Sequence, residues 1–541
     1  MPREQHHSEF EHKQLTKYAG KTAFGTFLSR ILGYIRDMLV ADMFGVGMFA
    51  DVFYAAFRIP NLFRRLFGEG SFSAAFIPVF SKSLQTQEKS ETQKLLNAVF
   101  TALFSVLIIV TILGIFASPL LVRLIAWGYT GEKLSLTIEL TRWMFPFIVF
   151  ISLAAFLLAI LNSLRSFFLP AFAPSALSMA EIFYVLALAP AILSDGNRIV
   201  GLAVSVVVGG ALHFIIQYPA LKLLGWQLKL KLKINYNGEE IPFYQHPGIR
   251  RIVILMIPAM IGLSVDQINS FVDSICASFL PTGAMSALYY SNRVMQLPLA
   301  IFGLAFASVS LPAMSKAFAQ NDMKTLKSSL NHSVRFSVFT LVPAAVGLIV
   351  IGMPITRLLF ERGHFNEHAS QITNFALTFY SVGLPAYAVA KIFANAFYSF
   401  QDTKTPVFTA MWAMILHVVL CVIVMLWTNM GVGGLALSTA ISSYFNVALL
   451  SWILRKRIGK LGLKKIVYST MKSLIASAAT GVTAVLVVSS VHRSLFVSVP
   501  AAIAAGAIVF FAVAKLLNSE EVQVSINIIK GIKGVKAFNE K

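Results

Sequence analysis

The sequence predicts an all-α polytopic membrane protein, with about 14 transmembrane helices forming two six-helix lobes around a central cavity plus two extra helices. Of the 541 residues, 57% are hydrophobic and only 13% are charged, whereas an average soluble protein has roughly 25% charged residues. Apolar runs of about 20 residues recur along the chain, and each can cross a hydrocarbon core of roughly 30 Å. Because backbone polar groups must be satisfied inside lipid, these runs are predicted as helices.

Fourteen apolar segments are predicted to span the membrane, with boundaries defined to within several residues. They cover residues 18–44, 48–68, 94–124, 136–163, 169–193, 199–224, 248–279, 284–317, 328–353, 368–400, 405–429, 432–454, 466–490 and 498–517. Loops after even-numbered segments are rich in Lys and Arg, whereas loops after odd-numbered segments, such as 45–50, are nearly uncharged. The positive-inside rule therefore places both termini in the cytoplasm.

The chain also repeats itself at offsets of 234 to 236 residues. The motif P-V-F-S-K at 78–82 recurs as P-A-M-S-K at 312–316. Two further sets of matches pair Ser163 and Pro170 with Ser399 and Pro406, and Phe44, Tyr54 and Arg58 with Phe279, Tyr289 and Arg293. Segments 7–12 are thus predicted to duplicate segments 1–6 as parallel repeats, with a ligand cavity between them. This arrangement favours a transporter over a receptor or a scaffold.

The duplication defines the predicted domain organisation. Its parts are a cytoplasmic tail (1–17), the N-lobe (18–224), a basic cytoplasmic loop (225–247), the C-lobe (248–454), a second basic loop (455–465), the two extra helices (466–517) and a second tail (518–541). The net charge of +21 is attributed to the positive-inside rule rather than to nucleic-acid binding. Cys276 and Cys421 lie in apolar segments and indicate neither a disulfide framework nor a metal site.

Several charged side chains interrupt the apolar segments. Segments 1, 2 and 8 hold six arginines, namely Arg30, Arg36, Arg58, Arg64, Arg65 and Arg293, beside the three carboxylates of Asp37, Asp51 and Glu69. A charge at the bilayer centre costs about 2.5–3.5 kcal/mol, so such residues usually face a cavity and serve function. The excess of arginine predicts an anionic ligand, because guanidinium groups match phosphate oxygens.

The alternative is that these arginines form interhelical ion pairs with Asp37, Asp51 and Glu69. For Arg64 and Arg65, a position at the cytoplasmic interface is a simpler explanation. Pro60, which follows Arg58 in segment 2, predicts a kink or a break there.

These same residues carry a resemblance to a known family. The stretches S-R-I-L-G-Y-I-R-D (Ser29 to Asp37) and F-R-I-P-N-L-F-R-R-L-F-G-E-G-S-F-S-A-A-F-I-P (Phe57 to Pro78) resemble the MurJ (MviN) family of lipid II flippases. The stretches Y-Y-S-N-R-V-M-Q-L-P and Q-D-T-K-T-P, which begin at Tyr289 and Gln401, agree with it. The resemblance covers essentially the whole chain and includes the expected number of spans.

The resemblance implies alternating access that moves undecaprenyl-pyrophosphate-linked peptidoglycan precursor from the cytoplasmic to the outer leaflet of the bacterial inner membrane. It implies a hydrophobic groove for the lipid tail in 466–517. The implied substrate-binding residues are Ser29, Arg30, Arg36, Arg58, Asn61, Arg64, Arg65, Ser286 and Arg293, and the implied gating or charge-pairing residues are Asp37, Asp51 and Glu69. The chain departs from the family at Asn292 and Gln296, where relatives often carry Asp and Glu, so a gating salt bridge there is in doubt.

Energy coupling and partners follow from the same resemblance. The candidate cation site comprises Asp266, Asn269 and Asp273, on one stripe of segment 7, together with Asp402, since oxygen ligands suit a hard cation. Helix packing is an equal explanation for these polar groups. No cofactor is expected, and coupling to a cation gradient or to the membrane potential stays open. The expected partners are lipid II, the membrane and cell-wall synthases, with a monomeric chain and no enzymatic activity.

Two short motifs are expected to be coincidental. Residues 364–368 read H-F-N-E-H, a zinc-peptidase pattern, but they lie in a short external loop with no third ligand nearby in sequence. Gly20-Lys21-Thr22 resembles the end of a P-loop, but Leu15 occupies the place of its first glycine. The competing functional hypotheses are export of another polyprenyl-linked oligosaccharide, export of drugs, and a non-transporting scaffold of cell-wall synthesis.

Overall fold

The computed structural model describes residues 2–64, 71–236, 238–491 and 494–523. Within these ranges, side chains are described except those of residues 2–19, 21, 23, 258, 259, 261–266 and 304. The chain forms two compact units, Met1–Thr282 and Gly283–Lys541. Nearly all of the described backbone is helical, which confirms the predicted fold class.

The described part of the first unit contains ten α-helices and a small antiparallel hairpin. The helices are α1 (Pro2–Phe44), α2 (Met48–Phe63), α3 (Ser71–Thr86), α4 (Lys89–Ile125), α5 (Gly131–Met144), α6 (Phe147–Ser163), α7 (Phe168–Phe172), α8 (Ser175–Phe183), α9 (Asp195–Leu223) and α10 (Pro247–Ser278). The hairpin pairs β1 (Lys233–Tyr236) with β2 (Glu239–Pro242). It lies within the basic loop, for which the sequence indicated no strand.

The second unit is also helical. Its helices are α11 (Ala284–Pro298), α12 (Leu304–Ala319), α13 (Met323–Val350), α14 (Gly352–Phe360), α15 (Glu367–Val382), α16 (Leu384–Ser399), α17 (Lys404–Trp427), α18 (Gly431–Ile458), α19 (Leu463–Ser490) and α20 (Leu495–Leu516). Helices α19 and α20, the two predicted extra spans, pack against each other, and α19 packs against α13.

The element boundaries repeat between α2–α9 and α11–α18, as the sequence offsets predict. Helix α2 begins at Met48 and α11 at Ala284, which is an offset of 236 residues. Helices α9 and α18 begin at Asp195 and Gly431, the same offset. Helix α10 groups with the first unit, whereas the sequence placed it at the start of the C-lobe. The lobe boundaries therefore stay a prediction.

The first three helices differ in extent from the predicted segments. Segment 2 was predicted to cover 48–68; α2 covers Met48–Phe63, the predicted end lies outside the described residues, and α3 then covers Ser71–Thr86 in a predicted loop. The predicted first tail, 1–17, is helical from Pro2. Pro60 does not break α2, which runs on to Phe63.

The apolar helices fit a membrane-spanning chain. Among the described residues, nine helical stretches are long and apolar enough to cross a membrane, or ten if α15 and α16 form one span bent by 41°. Two of the nine combine α5 with α6 and α11 with α12. The predicted fifth span is a series of short helical pieces. It comprises α7, α8, a π-helical turn (Tyr184–Leu188) and a 3₁₀ turn (Ala189–Ala191). The count of 14 spans stays a prediction.

Aromatic packing fixes α3 in the first unit. Phe72, Phe76 and Phe80 lie one turn apart on α3, and their rings stack in sequence with centroid distances of 5.4 and 5.1 Å. Phe156 of α6 meets Phe76 edge to face at 5.1 Å. Each such pair adds roughly 0.5–1.5 kcal/mol beyond the area that it buries. This buried face explains why a segment expected to be a loop is helical.

Close helix approach in the first unit depends on glycine. A Cβ atom at Gly209 of α9 would lie 2.8 Å from Cα of Leu177 and 3.1 Å from its carbonyl oxygen, both backbone atoms of α8. A Cβ at Gly25 of α1 would lie 3.3 Å from backbone atoms of α7. Small residues at such positions let helix backbones approach within a membrane.

We expect Gly209→Ala to lower the midpoint of thermal unfolding by several degrees, because the backbone of α8 must shift to admit the methyl group. Gly347→Ala is the matched control, since a Cβ there meets no atom within 4 Å. In the control, alanine favours the helix over glycine by about 1 kcal/mol, so the midpoint of thermal unfolding should stay equal or rise. Equal midpoints for the two detergent-solubilised variants would show that α8 and α9 are not in close contact.

Candidate functional site

The Arg36 guanidinium lies between two carboxylates in the first unit. Its Nη2 atom is 2.7 Å from Oδ1 of Asp37, and its Nη1 atom is 3.3 Å from Oε1 of Glu181. The side chains of Arg36, Asp37 and Glu181 are 12%, 2% and 3% exposed. Helix α1 supplies the first two residues and α8 the third, so this cluster joins the first span to the broken fifth span.

A second buried ion pair joins α2 to α5. Lys133 Nζ lies 2.8 Å from Oδ2 of Asp51, whose side chain is 1% exposed. The same ammonium lies 4.2 Å from the ring centroid of Tyr129, in the α4–α5 loop. Burial and the negative charge of Asp51 raise the pKa of the Tyr129 phenol, which Arg58 partly opposes. The phenol therefore stays neutral and offers its ring face to the cation.

Three further polar residues, Arg58, Asn61 and Arg64, lie at the carboxyl end of α2 or just after it. Arg58 is half-buried and donates a hydrogen bond to the backbone carbonyl of Ser270 in α10. Arg64 Nε donates to Oδ1 of Asn61 at 2.7 Å, one turn earlier. Both arginines thus have their guanidinium groups oriented by uncharged oxygen atoms.

Arg30 has a different environment from Arg36. Its side chain is exposed, although it lies in the apolar part of α1, and it forms no ion pair with any residue that the structure describes. Ser29 beside it is half-buried. A guanidinium in an apolar span must be solvated by water or by a ligand, so Arg30 is the described arginine best suited to receive an anion.

The second unit contributes two of the predicted substrate-binding residues. Ser286, near the start of α11, is fully buried and donates to the carbonyl of Gly283 at 3.1 Å. Arg293 is half-buried two turns later. The family departures Asn292 and Gln296 lie on the same helix, and Gln296 donates a hydrogen bond to Asn292. Two neutral amides thus form a hydrogen bond at the positions where relatives often carry Asp and Glu.

The candidate cation residues are only partly described. Asn269 is half-buried on α10, and its Oδ1 atom is buried without a hydrogen-bond partner among the described atoms. Asp273, one turn on, is also half-buried. The side chain of Asp266 lies outside the described residues, as do Arg65 and Glu69 altogether.

Asp402 is bound at the start of α17. Its Oδ1 atom accepts from the backbone N–H of Thr405 at 3.0 Å, and Oδ2 accepts from the Thr405 hydroxyl at 2.8 Å. Arg457 Nη1 reaches Oδ2 at 2.7 Å. Burial opposes ionisation, but the bonds from Thr405 and Arg457 hold the pKa of Asp402 below its usual value. Asp402 thus has three partner groups in the described structure, and its place in a cation site stays a prediction.

Glu181 and Lys133 were missing from the sequence-based set of site residues. Glu181 is an acidic residue inside an apolar segment, a pattern that itself marks a functional candidate. Lys133 lies in a predicted external loop, where the positive-inside rule disfavours lysine. Their presence changes the predicted charge balance, because Glu181 adds a carboxylate beside Arg36 and Lys133 neutralises Asp51.

Comparison with known proteins identifies the family of this chain. The family model described as "Lipid II flippase MurJ" matches residues 40–505. The chain belongs to the MurJ lipid II flippase family. A probable lipid II flippase MurJ of Vibrio cholerae is 36% identical over 81% of this chain and 82% of its own length. The lipid II flippase MurJ of Burkholderia cenocepacia is 36% identical over 80% and 82%.

Solved structures agree with this family assignment. A lipid II flippase MurJ in an inward closed conformation matches with a TM-score of 0.75 and 26% identity, over 92% of this chain and 98% of that one. An inward-facing multidrug transporter of the MATE family, from the MOP superfamily, matches with a TM-score of 0.64 over 80% of this chain and 95% of that one. At 12% identity, the second likeness shows the fold alone.

We expect the Asp51–Lys133 pair to show strong coupling in a double-mutant cycle. Asp51→Asn or Lys133→Met alone leaves a buried charge without this partner, which costs about 3 kcal/mol. The double variant removes both charges and should be more stable than the sum of the single effects predicts. Thermal unfolding of the four proteins in detergent measures the coupling. Additive losses would mean that the two side chains do not interact in the folded protein.

Proposed function

We propose that the chain flips lipid II, moving the undecaprenyl-pyrophosphate-linked precursor from the cytoplasmic to the outer leaflet by alternating access. Membership of the MurJ family and the names of its curated relatives support this function. The proposed cargo is a pyrophosphate anion on a lipid tail, which requires cationic groups inside an apolar protein. The chain supplies both features.

The observation that carries the substrate assignment is the exposed guanidinium of Arg30 within an apolar span. In hydrocarbon, this group would cost about 3 kcal/mol, so water or an anion must surround it. A guanidinium can form two parallel hydrogen bonds to phosphate oxygens. We infer that Arg30 contacts the pyrophosphate first, and that Arg36, Arg58, Arg64, Arg65 and Arg293 complete the binding set with Ser29, Asn61 and Ser286.

Arg36 is proposed to bind substrate in competition with its own carboxylates. Asp37 and Glu181 neutralise it in the structure described here. An approaching pyrophosphate, with oxygens of the same kind, can replace one of these acids. Asp37 and Glu181 thereby act as gating or charge-pairing residues, and Asp51 does so through Lys133. The same role for Glu69, and a cation site at Asp266, Asn269 and Asp273, remain predictions from the resemblance.

The wider assignments follow the family. The chain is a multi-pass membrane protein of a transporter family, which implies the bacterial inner membrane. We propose that both termini are cytoplasmic, that the chain acts as a monomer without covalent catalysis, and that the α19–α20 surface receives the lipid tail. A partnership with cell-wall synthases is a further prediction. Coupling to a cation gradient or to the membrane potential stays open.

Conditional complementation tests the function. A bacterium depleted of its own lipid II flippase receives the parent chain, Arg30→Gln, Arg36→Ala or Arg293→Ala, with membrane levels checked. We expect rescue by the parent and loss of rescue by all three variants, because each removes a cation proposed to bind pyrophosphate. Arg362→Ala is the matched control, since this exposed arginine bonds only carbonyls of its own chain segment among the described atoms.

Each outcome of the complementation has a distinct meaning. Rescue by every variant leaves the flippase function intact but rejects an anion-binding role for the arginines. Failure of a well-inserted parent, with normal levels in the membrane, points instead to export of another polyprenyl-linked saccharide. Loss of rescue in Arg362→Ala would show that arginine removal harms the protein generally.

We expect Glu181→Gln to separate substrate binding from turnover. The amide keeps the size of the side chain and still accepts a hydrogen bond from Arg36, but it competes less well with pyrophosphate. The lipid II concentration that gives half of the maximal rate should fall about fivefold. This factor corresponds to the difference in strength between a charged and a neutral hydrogen-bond acceptor. The maximal rate should fall as well, because release of the anion becomes slower.

The measurement is lipid II translocation in proteoliposomes as a function of lipid II concentration. Glu132→Gln, an exposed glutamate at the start of α5, is the control and should change neither parameter. A higher half-saturating concentration in Glu181→Gln would instead assign Glu181 to orienting Arg36 for the substrate. Unchanged kinetics would reject any role of Glu181 in the binding of lipid II.

A further inference from the structure

The segment between α9 and β1 is fixed to α4 by a ladder of hydrogen bonds. Three polar side chains spaced four residues apart on α4 accept backbone N–H groups from alternate residues of 227–232, which we name the ladder strand. The bonds are Gln227 N to Gln93 Oε1 at 3.2 Å, Lys229 N to Asn97 Oδ1 at 3.1 Å, and Lys231 N to Thr101 Oγ1 at 3.0 Å. Gln93 also donates back to the carbonyl of Gln227.

The spacing of the ladder has a geometric reason. Four residues of an α-helix rise about 6 Å, and two residues of a strand rise about 6.6 Å. One stripe of α4 can therefore bond every second residue of an extended chain. The match fixes both the register and the direction of the ladder strand, which follows α4 from its polar first turns towards its apolar middle.

The ladder strand is strictly amphipathic. Its sequence Q-L-K-L-K-L continues into β1 as K-I, so Leu and Lys alternate and lie on opposite faces. Leu228 packs against the aromatic core around Phe80, whereas Leu230 and Leu232 are 56% and 73% exposed. The lysines at 229, 231 and 233 are exposed and form no ion pair with any described residue.

The surroundings of the ladder strand are those of a membrane surface. Exposed Leu223 and Leu224 precede it, and exposed Tyr244 follows the hairpin. The exposed Arg250 and Arg251 begin the next apolar helix. Together with the lysines, they outnumber the acidic residues of β2, Glu239 and Glu240. Tyrosine and basic residues of this kind are enriched where a protein meets the cytoplasmic face of a bilayer.

We propose that the ladder strand lies in the cytoplasmic interface of the membrane and binds anionic phospholipid headgroups. Leu230 and Leu232 insert among the acyl chains, and the three lysines bind lipid phosphates. A lipid surface fits better than a protein partner because the ladder holds the strand against a membrane-spanning helix. Its exposed leucines are therefore next to lipid at all times. This inference does not depend on the transported substrate.

Spin labels at single cysteines test the orientation of the strand. Cys276 and Cys421, both buried, are first replaced by alanine, and labels are placed at Leu230→Cys, Lys231→Cys or Leu232→Cys in the full chain. The proteins are reconstituted in phosphatidylcholine with an equal part of phosphatidylglycerol. We expect the labels at 230 and 232 to collide severalfold more with oxygen than with a water-soluble nickel complex, and the label at 231 to show the reverse.

Equal accessibility at the three positions, or leucine-position labels that lie in water, would overturn the proposal. Labels at 230 and 232 that are shielded from both reagents only in native membranes would also overturn it. That result would indicate a protein partner instead of lipid.

The lysines are tested by their effect on lipid selectivity near the strand. In Lys229→Gln/Lys231→Gln/Lys233→Gln, the preference of the site for phosphatidylglycerol over phosphatidylcholine should fall by about fivefold per lysine. This preference is measured by quenching a fluorophore at Leu232→Cys with quencher-labelled lipids of each headgroup. Lys324→Gln/Lys327→Gln, which removes charge from the first two turns of α13, should leave it unchanged. An equal preference in the parent and the triple variant would reject the headgroup site.

Discussion

The cost of charge in a low-dielectric medium is the constraint on which this structure depends. Each intramembrane ion must be paired, solvated or bound to a ligand, because isolation in hydrocarbon is several kcal/mol unfavourable. The chain meets this constraint in different ways. Arg36 is held by two acids, Asp51 is paired with Lys133, and Arg30 remains exposed. The Arg36–Glu181 and Lys133–Asp51 pairs each join two separate helices of the first unit.

Titratable side chains occur at equivalent positions in the two repeats, but the helices that carry them differ in regularity. At the offset of 236 residues seen in the helix boundaries, Asp37 corresponds to Asp273 and Glu181 to His417. Glu181 lies in a span broken by a π-helical turn, whereas His417 lies in the uninterrupted α17. The carboxylate of Glu181 in the irregular span pairs with Arg36.

Composition and motifs predicted the membrane class, the helical fold and the family, because these depend on local sequence. The missing features depend on contacts between distant residues. Helix α3 forms because Phe76 meets Phe156, 80 positions later in the chain, and no periodicity in α3 reveals that partner. Likewise, the partners of Arg36 and Asp51 come from α8 and α5. Glu181 could have been found as an acid in an apolar run, but its pairing with Arg36 could not.

A transporter must release what it binds, and under the proposed function the carboxylates beside Arg36 would favour this release. A site made only of guanidinium groups without competing acids would bind pyrophosphate with similar affinity in every conformation. A ligand that binds both conformations equally does not shift the equilibrium between them. When Asp37 and Glu181 can pair with Arg36 again, the anion binds less tightly, because its binding must break these ion pairs. A movement of α8 relative to α1 would then change the affinity for the anion, because the two helices supply opposite partners of one cluster. Release can in this way be driven by a small change in packing instead of by a second ligand.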